Sequence, residues 1–61
     1  MIFLLDDQYP SLIPDPEKAD ENGMVAVSKT LGAERLIAAY QKGIFPWLKM
    51  EKEPNYWCWF S

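Results

Sequence analysis

The 61 residues include no histidine, one cysteine and three glycines. Without histidine there is no Ser-His-Asp triad, no histidine metal site and no ordinary general base near neutrality. A lone Cys58 allows neither an intramolecular disulfide nor a zinc cluster, and points by default to a reducing, cytosolic setting. The glycines at 23, 32 and 43 build no G-x-G-x-x-G or G-K-[ST] phosphate loop. Long apolar runs are missing too. Met1-Ile2-Phe3-Leu4-Leu5 has no basic flank and is cut off by Asp6-Asp7, so it reads as a short strand rather than a secretory or membrane segment, and no membrane partner is expected. No metal or cofactor is expected either.

Hydrophobic residues make up 49% of the chain, including three each of Phe, Tyr and Trp, which is far from a disordered composition. One domain is the limit at this length, and a chain so short buries only about 60% of the surface that its unfolded form exposes. Such a core is marginal, so completion by a second domain or a partner is expected. Charge divides unevenly. Residues 1–27 hold six acids against Lys18, and residues 28–61 hold five bases against three acids, a mildly basic second half that supports nucleic-acid contact only weakly. Asp15, Glu17, Asp20 and Glu21 read as a solvated loop face rather than a metal or acid/base pair.

Four stretches carry periodicity or turn chemistry. Residues 2–5 read as a strand. Tyr9 to Asn22 reads as a loop without regular structure, because Pro10, Pro14 and Pro16 push their predecessors into extended geometry. After an Asn22-Gly23 turn signal, residues 24–27 read as a strand. Residues 33–42 read as a helix whose apolar face carries Leu36, Ile37 and Tyr40, with Gly32 as N-cap, Leu31 and Leu36 as a hydrophobic staple and Gly43 as a left-handed stop. Pro46 reinforces that stop and leaves Trp47 in a loop. Residues 49–55 form a polar connection. Tyr56 to Phe60 reads as a strand with Tyr56, Cys58 and Phe60 on one side and Trp57 and Trp59 on the other. The fold class is therefore α+β, a small antiparallel sheet of about three strands packed on one main helix.

The segment Ala39-Tyr40-Gln41-Lys42-Gly43-Ile44-Phe45-Pro46-Trp47 resembles the A-Y-[QR]-[RK]-G-I-F-P-W signature of the leucyl/phenylalanyl-tRNA–protein transferase family. Its flanks agree: Pro14-Asp15-Pro16-Glu17 with Ala19, Asn22-Gly23-Met24-Val25-Ala26-Val27, Glu34-Arg35-Leu36 and Trp59-Phe60-Ser61 are similar to early family segments. There are departures. The family's G-G-D-L is here Ser28-Lys29-Thr30-Leu31, its S-P at the helix start is Gly32-Ala33, and its Phe before Pro14 is Ile13. An extra residue also follows Pro54. The first change removes an acid and the permissive residues that a tight turn would use.

The resemblance implies that residues 1–61 are the amino-terminal domain of a two-domain enzyme whose GNAT-type catalytic domain is absent from this chain. It further implies transfer of Leu or Phe from aminoacyl-tRNA to proteins beginning with Arg or Lys, a cytoplasmic N-end rule tag for Clp-dependent degradation. By resemblance, Trp47 stacks the tRNA 3′ adenosine and Tyr40 contributes to the same site. No catalytic residue is expected here, and the chain alone is expected to be inactive. Each residue keeps a plainer reading: Tyr40 as helix core, Trp47 as loop packing, Trp57 and Trp59 as core or inter-domain contacts, Cys58 as structural, and Lys42 and Lys49 as solvated charges. The competing function is a free-standing interaction module gripping a peptide or protein through exposed Trp47, Trp57 and Trp59.

Overall fold

The computed structural model describes residues 2–61, so that Met1 of the apolar start and of the expected 1–61 domain lies outside the described residues. The chain forms β1 (Phe3–Leu4), β2 (Met24–Ser28), α1 (Ala33–Gln41), β3 (Phe45–Lys49) and β4 (Trp57–Phe60). The sheet order is β1-β2-β4-β3. β1 runs parallel to β2, whereas β4 is antiparallel to both of its neighbours. Hence β2, α1 and β3 form a split β-α-β unit with β4 inserted between its strands.

The α+β expectation holds, and the sheet is larger and more mixed than a three-stranded antiparallel one. The additional strand is β3. Pro46 removes the backbone donor that a central strand needs, but β3 lies at the edge of the sheet, where proline is tolerated. The long loop also contains regular structure, a single 3-10 turn at Pro16–Lys18. Proline opens it, and Asp15 Oδ1 accepts from the Glu17 N–H at 2.9 Å.

Local chemistry sets the element ends. Before β2, Asp20 Oδ1 accepts from the Asn22 and Met24 N–H groups, each at 2.9 Å. Gly23 follows with φ +87°, and a Cβ there would lie 3.2 Å from Ser61 O. That proximity comes from pairing, since the Ser61 N–H donates to Gly23 O at 2.8 Å. α1 begins after Gly32 and ends in a Schellman motif: Gly43, at φ +74°, donates to Tyr40 O at 3.0 Å, and the Ile44 N–H donates to Ala39 O at 2.9 Å. Ala39 and Ile44 are both buried, the apolar contact that accompanies this stop. Lys42 caps the helix, and its Nζ donates to Ile13 O at 2.8 Å, tying the proline-rich loop to the helix end.

Strand register assigns the two faces of the sheet. Phe3, Ala26, Trp59 and Pro46 form one row across all four strands, and Leu4, Val27, Cys58 and Leu48 form the opposite row. The first row faces the core, which gathers Leu5, Ile13, Val25, Ala26, Ala39, Ile44 and Trp59. Leu31 and Leu36, the expected staple, pack against it. The buried helix face differs from the expected one: Arg35 and Ala39 are buried, whereas Ile37 is 60% and Tyr40 53% exposed. Small Ala39 lets the helix approach the sheet closely, and Arg35 is brought inside by hydrogen bonding rather than by apolarity. The pattern of apolar residues alone rotates the helix by about one position.

Arg35 is 1% exposed and clamps the amino-terminal segment. Its Nη1 donates to Asp7 Oδ1 at 3.0 Å and to Thr30 O and Oγ1 at 3.2 Å, and its Nη2 donates to Asp6 O at 2.8 Å. The Thr30 hydroxyl also donates to Asp7 Oδ1 at 3.0 Å. Thr30 stands where the resembling pattern has an acid, and here it joins Asp7 in bonding Arg35. No residue other than glycine has positive φ among the described residues, so Ser28-Lys29-Thr30 makes no left-handed turn. Ser28 is instead fully buried at the end of β2, its hydroxyl donating to Thr30 O at 2.7 Å and accepting from the Trp59 indole at 2.7 Å.

Two outcomes follow from these bonds. Ser28→Ala strands a buried indole donor and is expected to cost about 1–3 kcal/mol, read as a lowered midpoint in thermal or urea unfolding. For Asp7, the hydrogen bond from Arg35, helped by that from Thr30, holds the carboxyl below its ordinary 3.8. Its contribution to stability is therefore fully present above that ordinary value and fades as pH falls through the lower folded value. Asp7→Asn should be less stable than the parent at neutral pH, with the two unfolding midpoints converging in strong acid.

Candidate functional site

The two residues singled out for ligand contact, Tyr40 and Trp47, are both exposed, at 53% and 69%. Tyr40 lies on the outward side of α1, with its ring 5.1 Å from that of Phe45 at 45°. Trp47 lies in β3, where the register shifts: Pro46 pairs with Trp59 and Leu48 with Cys58, leaving Trp47 as the extra residue of a bulge. Bulges commonly re-aim a side chain beside a functional surface. The Trp47 indole stacks on Phe60, with centroids 5.9 Å apart and planes at 21°.

Tyr40 and Trp47 thus belong to one array, joined through two other rings. Tyr40 packs on Phe45, Phe45 pairs with Phe60 across the hairpin, and Phe60 carries Trp47. Sequence reasoning missed Phe45 and Phe60 as members. The signal was the hairpin itself, since residue pairing between 45–49 and 57–60 becomes visible only once 45–49 is read as a strand. Ile37, one helical turn from Tyr40, extends the exposed apolar stripe along α1.

The other tryptophans do different work. Trp59 is 0% exposed and sits at the centre of the core. Trp57 is half-buried, with Lys49 Nζ 5.3 Å from the ring centroid, a cation–π contact. Cys58 is a buried thiol on the opposite face from Trp59. Lys42 Nζ donates to Ile13 O, and Lys49 lies over the Trp57 ring. An apolar cleft of about 310 Å³ beside β1, lined by Phe3, Leu4, Leu12, Ile13 and Pro14 among others, shares no residue with the aromatic array. Among the described residues no group of three or more His, Cys, Asp or Glu is placed to hold a metal ion. Nor is any helix long and apolar enough to cross a membrane.

Exposed aromatic rings on an edge hairpin, set over a small core, define an α+β domain with an open aromatic face. Residues 30–61 match the family profile described as "Leucyl/phenylalanyl-tRNA protein transferase N-terminal domain". The chain belongs to the leucyl/phenylalanyl-tRNA–protein transferase family. It is 54% identical over 56 residues to the leucyl/phenylalanyl-tRNA–protein transferase of Myxococcus xanthus (strain DK1622), covering 92% of this chain and 24% of that protein. The enzyme of the same name from Aeromonas hydrophila is 46% identical over 55 residues, 87% of this chain and 23% of the relative. That from Hamiltonella defensa is 54% identical over 46 residues, 72% of this chain and 20% of the relative. No solved structure gives a significant match. The chain spans about a quarter or less of the length of these relatives.

Burial separates three substitutions by stability. Ile44→Ala, in the core, should lose about 2–5 kcal/mol. Ile37→Ala, expected from periodicity to be a core change, should stay within about 0.5 kcal/mol of the parent because Ile37 faces solvent. Trp47→Ala should lose no more than the worth of one aromatic pair, about 0.5–1.5 kcal/mol. Urea titrations of the three variants check this ordering.

Proposed function

We propose that this chain is the amino-terminal part of an aminoacyltransferase that moves Leu or Phe from aminoacyl-tRNA to the N-terminal Arg or Lys of proteins. In that reaction the acceptor α-amine attacks the aminoacyl ester, an amide forms and the tRNA 3′-hydroxyl leaves. Because the ester is already activated, catalysis rests largely on holding the 3′ adenosine and the amine in register. Here Trp47 stacks the unpaired terminal adenine and Tyr40, through Phe45, borders the same shelf. The observation that carries the reading is the Trp47 ring: 69% exposed, on a bulge, and stacked on Phe60 by one face. Such a ring suits an unpaired base, whose stacking is worth about 1–3 kcal/mol without sequence readout.

The shelf is open, which agrees with a site shared between domains. Leu4 and Leu48 are 61% and 59% exposed in the outer row of the sheet, and Phe45 and Trp47 add aromatic surface on β3. We assign this face to the remainder of a two-domain transferase, including a GNAT-type catalytic domain that supplies the aminoacyl pocket and the chemistry. Cytoplasmic N-end rule tagging for degradation is the corresponding cellular role. A free-standing module that grips a partner through three exposed tryptophans is less favoured, because Trp59 is buried and Trp57 is half-buried beneath Lys49.

Adenosine titrated to millimolar concentration should perturb the Trp47 signal of the 61-residue chain where ribose does not. Trp47→Ala should lose the interaction, by roughly the 1–3 kcal/mol of one stacked base. Equal responses to adenosine and ribose contradict the reading. Incubated with Phe-tRNA and an Arg-initiated peptide, the chain alone should leave the peptide unlabelled. Label accumulating in proportion to the chain's concentration would place the catalytic groups within these residues.

A further inference from the structure

We propose that Phe60 is the positioning residue of the shelf, holding the Trp47 indole so that its free face is presented to the base; this rests on the reading of Trp47 given above. Trp47 stands on the edge strand, at a bulge, with most of its surface in solvent. An aromatic side chain in that setting has several rotamers open to it, and ordering one of them at the moment of binding weakens the complex. The stack on Phe60, offset at 5.9 Å and within 21° of parallel, selects one orientation before ligand arrives.

Phe60 itself is well held. It belongs to β4, inside the sheet, and pairs with Met24 on one side and Phe45 on the other. The next residue is tied by its N–H to Gly23 O at 2.8 Å. The preceding residue, Trp59, is locked into the core by its indole bond to Ser28, which fixes which way Phe60 points. Phe60 is half-buried and lies outside the hydrophobic core cluster, so its ring serves the surface more than the interior. Bound adenine becomes the third layer of a stack that runs Phe60, Trp47, base.

The test uses the 61-residue chain labelled with 5-fluorotryptophan, whose Trp47 fluorine resonance is identified by its loss in Trp47→Phe. Three variants, Phe60→Leu, Phe60→Tyr and Trp47→Ala, are compared with the parent for this resonance, for unfolding midpoint and for adenosine affinity. In Phe60→Leu the Trp47 resonance should move as the ring current is removed, while that of Trp59 stays. Its adenosine affinity should fall by about two- to twelve-fold, the worth of one aromatic pair. Phe60→Tyr keeps the ring and should restore both readouts, which a change acting only through stability would not do. An unmoved Trp47 resonance, or an adenosine affinity in Phe60→Leu equal to that of the parent, overturns the role of Phe60 even where Trp47→Ala abolishes binding. Adenosine binding that survives Trp47→Ala overturns the stacking reading itself, and the role of Phe60 with it.

Discussion

Trp59 brings the largest fully buried side chain of the domain into a core that has few others, and its indole N–H must find an acceptor there. Ser28 Oγ accepts from it at 2.7 Å and donates its own hydrogen bond to Thr30 O, also at 2.7 Å. That carbonyl also accepts from Arg35, whose guanidinium reaches Asp7 and the Asp6 carbonyl. A single run of hydrogen bonds therefore joins β4, the end of β2, the start of α1 and the amino-terminal segment. Leaving any buried member unpaired costs more than the bond itself is worth, so these elements are fixed relative to one another. Arg35 Nε alone among buried side-chain polar atoms of the described residues lacks a partner.

With Trp59 held inward, the alternation of a strand sends Cys58 and Phe60 to the other face. Phe60 then meets Trp47 across the hairpin, and the bulge in β3 lets the indole lie against it. Core and shelf are thus two faces of one short strand. The Schellman stop at Gly43 turns the chain from α1 into β3 and so brings Phe45 beneath Tyr40. The nine-residue signature from Ala39 to Trp47 is, in physical terms, a helix end, a turn and the start of the strand that bears the shelf.

Much of this was legible in the sequence because local chemistry decided it. Gly43 at the helix stop, the turn at Asn22-Gly23, the strand at 24–27 and the placing of Cys58 and Trp59 on opposite sides of their strand are local features, and the structure carries each of them. What escaped was decided at long range. β3 was hidden by Pro46, whose tolerance depends on the strand being an edge. The parallel pairing of β1 depends on the path of the connection 5–23 over the sheet. The buried face of α1 differs from the periodic one because a charged Arg35 is held inside by nearby Thr30 and by the distant Asp6 and Asp7, while apolar Ile37 and Tyr40 face outward. Tyr40 and Trp47 were singled out through family resemblance alone, and the contacts that link them to Phe45 and Phe60 emerge only from the strand register.

Indole hydrogen exchange, followed for the three tryptophans of the 61-residue chain, tests the central arrangement most directly. The Trp59 N–H, bonded to Ser28 in a fully buried setting, should exchange only through global unfolding, and its protection should fall in step with stability as urea is added. The Trp47 N–H should exchange at close to the rate of an exposed indole. Equal exchange at Trp59 and Trp47, or a Trp47 N–H as protected as that of Trp59, would contradict an account in which one strand turns its tryptophan to the core and its phenylalanine to the shelf.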